Sequence, residues 1–300
     1  MAITSEQVMT LRSQTGAGIM DCKGALNEAG GDIAKAVELL RKKGLAGLAK
    51  RAGRAMKEGI VAAKTSADGK THSLLEINCE TDFVAKNPDV VAFASALAAD
   101  MLTDATLADP AASDKAKERM QAVAMKTGEN MAIRRGVVYS PAAGSVSNYY
   151  IHSDNRKGAI VELAFDGDLA KAQADLEAMA KELSMQAVAM NPKYLRREDV
   201  PADVVEKERE IYRAKTEKDE EEAKARAEAS GRPYKTKPAE ALAKMLEGRV
   251  NKFYQECCLV EQASIRDSKL TVTQTLNNLG AKLGGKVSAK RFHCYIVGVE

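Results

Sequence analysis

Five cysteines and three histidines are the residues of this chain that would first suggest a metal or redox site. Their spacing argues against both, because the sequence has no Cys-x-x-Cys pair and its histidines are scattered. We therefore expect reduced thiols, no bound metal and no cofactor, as is usual for a cytoplasmic protein. These residues are Cys22, Cys79, Cys257, Cys258, Cys294, His72, His152 and His293.

The sequence also lacks signatures of catalysis and of nucleotide binding, including any Ser-His-Asp arrangement with local support. It contains neither a G-x-x-x-x-G-K-[ST] phosphate loop nor a G-x-G-x-x-G motif after a predicted strand. Gly284-Gly285-Lys286 is too short to cradle a nucleotide, and paired carboxylates are concentrated in one charged helical stretch, where exposure to solvent explains them. We expect a protein that acts by binding and is not an enzyme.

The segment with the most unusual pattern is 78–87, Asn-Cys-Glu-Thr-Asp-Phe-Val-Ala-Lys-Asn, which follows a predicted strand and precedes a predicted helix. Phe83 is the first aromatic residue of the chain. In one interpretation Thr81 or Asp82 caps the helix and Phe83 fills the core. In the other, a polar pair followed by a large apolar residue forms a wedge that enters a partner protein. The residues alone leave both open.

The elements before this segment are predicted to be three short helices within residues 1–45. Ser5 is expected to cap the first helix, the glycine-rich turn at 15–18 to end it, and Asp32 to cap the third helix, which ends at Gly44. Residues 41–57 then carry seven basic and no acidic side chains. We expect this stretch to be flexible or weakly helical, either as a solvated linker or as a patch for an acidic partner or RNA.

The central region contains a near-repeat that predicts two related subdomains. Leu74-Leu-Glu-Ile and Ile160-Val-Glu-Leu each follow a strand and a turn, and helices are expected at 88–101 and 169–190. The pattern indicates an α+β fold with two ββα-type halves, each with helices on one face of a sheet. A further helix is expected at 114–134, and the last strand is expected to join the second sheet.

Residues 196–262 are predicted to form an antiparallel helical hairpin of coiled-coil type. The first arm, 196–229, has 21 charged residues among 34, and the returning arm has an apolar stripe that calls for a partner helix. The hairpin is either a simple solvated arm or an arm for oligomerisation or docking. The stripe consists of Leu242, Leu246, Val250, Phe253 and Cys257.

Composition narrows the classes of function further. The 300 residues are enough for two or three domains, and 45 Lys+Arg against 42 Asp+Glu give a net charge of +3. Such a balance argues against a surface built wholly for nucleic acid, and the 4% of aromatic residues argues against base stacking. The most apolar stretch, 90–102, is shorter than the ~20 residues that span a membrane, so we expect no membrane contact.

Three segments resemble bacterial members of the elongation factor Ts family: Thr-Gly-Ala-Gly-Ile-Met-Asp-Cys-Lys at 15–23, the segment 78–87, and Gly-Glu-Asn-Met-Ala-Ile-Arg-Arg at 128–135. The resemblance continues through Glu206-Lys-Glu and Met245-Leu-Glu-Gly-Arg and covers nearly the whole chain. It implies a ubiquitin-associated-like bundle with a basic linker at 1–55, a first core subdomain at 56–140, and a second at 141–300 with the hairpin of about 196–262 inserted.

The resemblance also implies a function in protein biosynthesis. Family members are guanine-nucleotide exchange factors that bind the GDP form of elongation factor Tu, destabilise its Mg²⁺ and phosphate site, and promote GDP release during translation elongation. Whether the protein forms a homodimer or a two-to-two complex with elongation factor Tu is left open. The alternative is an RNA-binding or ribosome-associated scaffold protein, which would use the basic stretch 41–57 and the charged arm.

Residue by residue, the resemblance assigns partner contacts to two groups of side chains. The motif associated with displacing Mg²⁺ corresponds to Thr81, Asp82, Phe83 and Val84. Further contacts correspond to Arg12, Ile19, Met20 and, in an enlarged version of the family loop, His152. Gly24 stands where a second lysine is common, so a charge contact is not expected there.

Overall fold

The computed structural model describes residues 3–234 and 237–299. The chain divides into two compact units. The first extends to Pro141 and includes Ser147–Ile160 and the chain from Cys294 onwards; the second comprises Ala142–Val146 and Val161–His293. Within the described ranges, no helix combines the length and apolar character needed to cross a membrane.

A bundle of three helices opens the first unit: α1 (Ser5–Thr15), α2 (Ile19–Glu28) and α3 (Ile33–Arg51). It has a core of its own. Asp32 caps α3 by accepting a hydrogen bond from the Lys35 amide, and Gly16, at a φ of 68°, ends α1, as predicted. The cap of α1 is Thr4, however, and not Ser5, because Thr4 and Gln7 bond reciprocally to each other's backbone. The buried core residues are Val8, Leu11, Cys22, Ala25, Leu26 and Ala36.

The prediction that the third helix ends at Gly44 is wrong, since α3 continues to Arg51. Gly44 lies inside the helix, and a Cβ atom there would come within 2.6 Å of the Met125 sulfur. Leu48, one turn later, packs against the core beneath. Close packing thus keeps glycine inside a helix despite its low propensity, and most of the basic stretch is helical.

Residues 58–139 form the first half of the repeat, with strands β1 (Glu58–Thr65), β2 (His72–Cys79) and β3 (Met131–Tyr139) in the antiparallel order β1-β2-β3. Between β2 and β3 lie α4 (Asp82–Ala85), α5 (Pro88–Asp100) and α6 (Asp114–Thr127). The predicted helix over 114–134 is therefore too long. Gly128, at a φ of 74°, ends α6, and the following residues pair with β2 instead.

The first sheet buries one face beneath these helices. Leu75, Ile77 and Cys79 of β2 pack with Phe93 and Leu97 of α5 in the largest core of this half. Since alternate residues of a strand point to opposite faces, Leu74 packs in a separate cluster on the other face.

The second half of the repeat has the same order of elements. Strands β4 (Ser145–Ile151), β5 (Lys157–Phe165) and β6 (Val287–Ile296) form a sheet in the order β4-β5-β6, as predicted for the last strand. Its helices are α7 (Leu169–Met190) and α10 (Val272–Leu283). The longer elements that the sequence did not predict are therefore strand β3 in the first half and helix α10 in the second. The α+β fold with two related halves is confirmed.

The predicted helical hairpin interrupts the second half between α7 and α10. It consists of α8 (Ala202–Ala229) and α9 (Ala239–Cys257). Arg249 holds the arms together, because its guanidinium donates to Thr216 Oγ1 at 3.0 Å and to Asp219 Oδ2 at 2.8 Å. The hairpin is thus stabilised by polar contacts as well as by the apolar stripe.

Candidate functional site

The turn between β2 and α4 is built by a side-chain cap. Thr81 has an extended backbone, and its hydroxyl oxygen accepts a hydrogen bond from the Val84 amide at 3.4 Å. This satisfies one of the amides that a helix leaves unbonded at its start. Of the two predicted caps, Thr81 is therefore a helix cap, but of the four-residue helix α4. The predicted helix, α5, is capped instead by Asn87.

Phe83 projects from this turn into solvent. Its side chain is 83% exposed, whereas Ala85, two residues later, is buried and Val84 packs partly against the core. The interpretation of Phe83 as a core residue is therefore wrong. A single turn of helix has too few positions to bury three consecutive apolar side chains on one face. An aromatic ring left in water forgoes the free energy of burial, about 25 cal/mol per Å² of apolar area, unless a partner covers it.

Asp82 directly precedes Phe83 in this turn and carries a negative charge. Lys86, one turn along, donates to Asp82 Oδ2 at 2.6 Å. This hydrogen bond is the main cause that lowers the pKa of Asp82 below its ordinary value. At neutral pH the turn therefore presents a carboxylate next to an aromatic ring.

Cys79, at the end of β2, belongs to the scaffold and not to the surface. Its Sγ lies 3.1 Å from the Thr81 carbonyl oxygen, and burial raises the pKa of the thiol to about 12. A thiol in this state is a poor nucleophile and a poor metal ligand. Among the described residues, no group of three or more His, Cys, Asp or Glu side chains is arranged to hold a metal ion.

The predicted contact residues of the bundle are all on its surface. Ile19 and Met20 are the first two residues of α2 and are 52% and 76% exposed, and Arg12 is exposed in the last turn of α1. Cys22 and Leu26 on the same helix are fully buried. The apolar pair at the start of α2 is therefore available to a partner.

His152 lies in the turn between β4 and β5 and is half-buried. Its Nδ1 atom lies 3.1 Å from the Tyr150 hydroxyl. The same turn contacts the start of β1, because the Asn155 carbonyl accepts from the Val61 amide at 2.7 Å and Arg156 pairs with Glu58.

These contacts bring the turn carrying His152 to the end of the first sheet from which the Phe83 turn emerges. Glu58 is paired in the sheet with Cys79, two residues before Thr81. Both turns belong to the same compact unit. The structure thus groups two of the predicted elements at one end of one sheet.

Several charges of the basic stretch are engaged by acidic neighbours. Arg41 pairs with Glu118 at 3.0 Å, Lys42 with Glu38 at 2.9 Å, and Arg54 with Glu80 at 3.3 Å. These pairs reduce the net positive field that would attract a polyanion.

Two acidic residues that the sequence did not single out support the Phe83 turn. Glu129 accepts a hydrogen bond from the Thr81 hydroxyl at 2.5 Å, and Glu80 accepts one from the Asn130 amide at 2.7 Å. The signal was present, since Glu129 and Asn130 belong to the motif at 128–135. Nothing in the residue types, however, indicates that this motif meets the segment 78–87.

Comparison with known proteins gives a consistent result. The family model described as Elongation factor TS matches residues 80–299. Proteins named Elongation factor Ts from Clostridium botulinum (strain Alaska E43 / Type E3) and Trichlorobacter lovleyi are each 41% identical to this chain. The first match covers 97% of this chain and 91% of the relative, and the second covers 99% and 93%. The same name and identity recur in Symbiobacterium thermophilum, with 99% and 92% covered. On this evidence the chain belongs to the elongation factor Ts family.

Proposed function

We propose that the chain is a guanine-nucleotide exchange factor for elongation factor Tu, and that it acts in the cytoplasm during translation elongation. It binds the GDP form of that GTPase and accelerates GDP release without a covalent step and without a cofactor of its own. The observation that carries this proposal is Phe83, an aromatic side chain 83% exposed on a turn that its own sheet and helix hold in place.

The mechanism follows from how a GTPase holds its nucleotide. Backbone amides of the phosphate loop and a Mg²⁺ ion that bridges phosphates to protein oxygens supply much of the affinity. In this proposal Asp82 and Phe83 enter between helices of the GTPase domain. Because packed interiors switch between discrete arrangements, a wedge there disorders the Mg²⁺ and phosphate site.

The other surface residues increase the binding free energy that offsets this distortion. Arg12, Ile19 and Met20 would contact the GTPase domain through the bundle, and His152 would reach the neighbourhood of the Mg²⁺ site. Thermodynamic linkage requires that nucleotide weaken the affinity for the factor as much as the factor weakens the affinity for nucleotide. Incoming GTP would therefore release the factor, and the affinity of free elongation factor Tu for GDP would be unchanged.

The structure gives less support to the scaffold alternative. An RNA-binding scaffold depends on unneutralised basic charge, and three of the seven basic side chains of 41–57, Arg41, Lys42 and Arg54, each have an acidic partner. Such a scaffold also has no need for an exposed phenylalanine on a capped turn.

The decisive experiment is stopped-flow release of fluorescent GDP from elongation factor Tu by a Phe83→Ala variant. We expect the maximal release rate to fall by about thirtyfold or more, because one anchoring aromatic side chain commonly contributes about 2 kcal/mol or more at an interface. Ile211→Ala is the matched control, since Ile211 is 57% exposed on the helical hairpin. A wild-type rate for Phe83→Ala would refute the wedge.

A further inference from the structure

Glu80 and Glu129 form a reciprocal pair of carboxylate caps beneath the Phe83 turn. Glu129 Oε2 accepts from the backbone amides of Glu80 at 3.1 Å and Thr81 at 3.0 Å, while its Oε1 accepts from the Thr81 hydroxyl. In return, Glu80 Oε1 accepts from the Asn130 amide at 2.7 Å. Each carboxylate therefore satisfies backbone amides of the other segment. We call this arrangement the carboxylate clasp.

The clasp supplies rigidity that α4 lacks by itself. A helix of four residues is far too short to be stable alone, and its orientation is set by what holds its ends. Glu129 fixes Thr81 by both its amide and its hydroxyl, and Thr81 in turn caps α4 at the Val84 amide. Hydrogen bonds to an ionised carboxylate are about twice as strong as neutral ones. The direction in which Phe83 projects thus depends on Glu129.

The same corner receives the chain that leaves the bundle. The Asn130 side-chain amide donates to the backbone carbonyls of Ala52 at 3.3 Å and Arg54 at 3.0 Å, directly after the end of α3. Arg54 also pairs with Glu80 Oε2 at 3.3 Å. The clasp therefore joins the exit of the bundle to the base of the Phe83 turn within one compact unit.

The second half of the repeat retains one member of the clasp and lacks the other. Asp166, at the end of β5, accepts from the Lys286 amide just before β6, as Glu80 does from Asn130 just before β3. Gly285, however, stands at the position of Glu129, and the structure gives Asp168 no side-chain cap bond to α7. Leu169, at the position of Phe83, begins a 22-residue helix and is half-buried. The carboxylate of Glu129 accompanies the exposed aromatic residue.

We propose that Glu129 is a positioning residue for nucleotide exchange: it fixes the Thr81–Ala85 turn so that Phe83 meets the partner in one orientation. This inference rests on the proposed function. Contacts through the bundle would form whether or not the turn is fixed. Loss of Glu129 should therefore lower the maximal rate of GDP release more than it weakens complex formation.

The test uses the full chain with Glu129→Ala and Glu129→Gln, and Glu228→Ala as a matched control at an exposed glutamate of α8. Amide hydrogen exchange at Glu80, Thr81 and Val84 reports the clasp directly. Stopped-flow release of fluorescent GDP from elongation factor Tu, over a range of factor concentrations, separates the maximal rate from the half-saturating concentration. Thermal melting followed by circular dichroism shows whether each variant folds.

For Glu129→Ala we expect amide exchange at Thr81 to accelerate at least tenfold and the maximal release rate to fall roughly tenfold. The half-saturating concentration should change by less than about threefold. Glu129→Gln keeps a neutral acceptor of the same length, so it should restore part of the rate. It also provides the test if the alanine variant does not fold. Glu228→Ala should match the wild type in every measurement.

Two results would overturn the inference. Unchanged amide hydrogen exchange in Glu129→Ala would mean that the clasp does not hold the turn. Faster amide hydrogen exchange together with a wild-type rate of GDP release would mean that nucleotide exchange does not require a fixed turn. Failure of the proposed function is a different outcome: Phe83→Ala would then release GDP at the wild-type rate, whatever the amides of the Glu129 variants show.

Discussion

The two halves of the core, residues 58–139 and 145–296, build the same frame and differ in what they attach to it. In both, the central strand carries a buried glutamate that pairs with two basic residues of the third strand. Glu76 pairs with Arg134 and Arg135, and Glu162 pairs with Lys290 and Arg291. A glycine in the left-handed conformation, Gly128 or Gly284, ends the helix before that third strand in each half.

The differences lie at the strand exits and in the helix connections. The first half presents Phe83 on a short turn, whereas the second half runs directly into the long helix α7. The connection between the two helices is short in the first half, but in the second it contains the whole hairpin of α8 and α9. A duplicated frame thus supplies stability twice, and each copy is free to carry a different functional element.

The largest effect on stability is expected where the halves agree, at the buried glutamates. Glu76→Gln should lower the free energy of unfolding by about 3 kcal/mol, because it leaves two arginines beside a neutral amide. Glu162→Gln should cost about 2 kcal/mol, since Lys290 and Arg291 are 49% and 45% exposed, against 30% and 33% for Arg134 and Arg135. Urea unfolding followed by circular dichroism measures both.

The control for these two substitutions is Glu118→Gln. It removes the ion pair between Glu118 and Arg41, whose side chains are 71% and 62% exposed, respectively. We expect it to cost less than about 1 kcal/mol, as is typical of surface pairs. If Glu162→Gln destabilised the protein more than Glu76→Gln, the cost of each substitution would not follow the burial of the basic residues that pair with the glutamate.

An effect of comparable or smaller size is expected at Gly285, which the second half has in place of Glu129. A Cβ atom there would lie 2.6 Å from the Phe165 ring and 2.9 Å from Asp166 Oδ1. Phe165 is buried, so it has little room to move, and Gly285→Ala should destabilise the protein by roughly 1–3 kcal/mol. Gly248→Ala is the control, and it is expected to change the free energy of unfolding in the opposite direction. It lies inside α9 with no atom within 4 Å of an added Cβ, and should stabilise by roughly 0.5–1 kcal/mol. Urea unfolding that found equal effects would refute the packing argument.

The sequence predicted well those elements whose signals are local. The helix over 169–190 and the cap at Asp32 follow from periodicity and from one side chain, and both are confirmed. Strand β3 was missed because its partner, β2, lies far away along the chain, and because Ile133, Arg134 and Arg135 do not alternate apolar and polar.

The candidate site was only partly predictable for the same reason. Thr81 is recognisable as a cap from its type and position, but whether Phe83 is buried or exposed depends on how many positions α4 gives to the core. The support from Glu129 is a contact between segments 48 residues apart, and no local pattern encodes such a contact. The family resemblance identified both segments, 78–87 and 128–135, but it did not indicate that they contact each other.

The smallest predicted effect concerns the short helix connection that distinguishes the first half from the second. Asp104 holds this connection, because its carboxylate accepts from Lys115 Nζ at 2.6 Å and from the Thr106 hydroxyl and amide. These bonds, with that from Lys115 the largest, lower the pKa of Asp104 to about 2. A carboxyl whose pKa is lower in the folded than in the unfolded state stabilises the fold above its unfolded pKa of 3.8. That contribution is lost as the pH falls from about 3.8 to 2.

Asp104→Asn should therefore melt at a lower temperature than the wild type at pH 6, and the two melting temperatures should converge as the pH approaches 2. Thermal unfolding followed by circular dichroism between these pH values tests this. Lys115→Gln removes the lysine that pairs with Asp104, so Asp104→Asn should lower the melting temperature less in that variant than in the wild type. Added salt should reduce the effect of Asp104→Asn further, because the pair is exposed. A gap between wild type and Asp104→Asn that stays constant down to pH 2 would show that the carboxylate charge does not stabilise this connection. The short link of the first half would then depend on packing and not on the charge of this carboxylate.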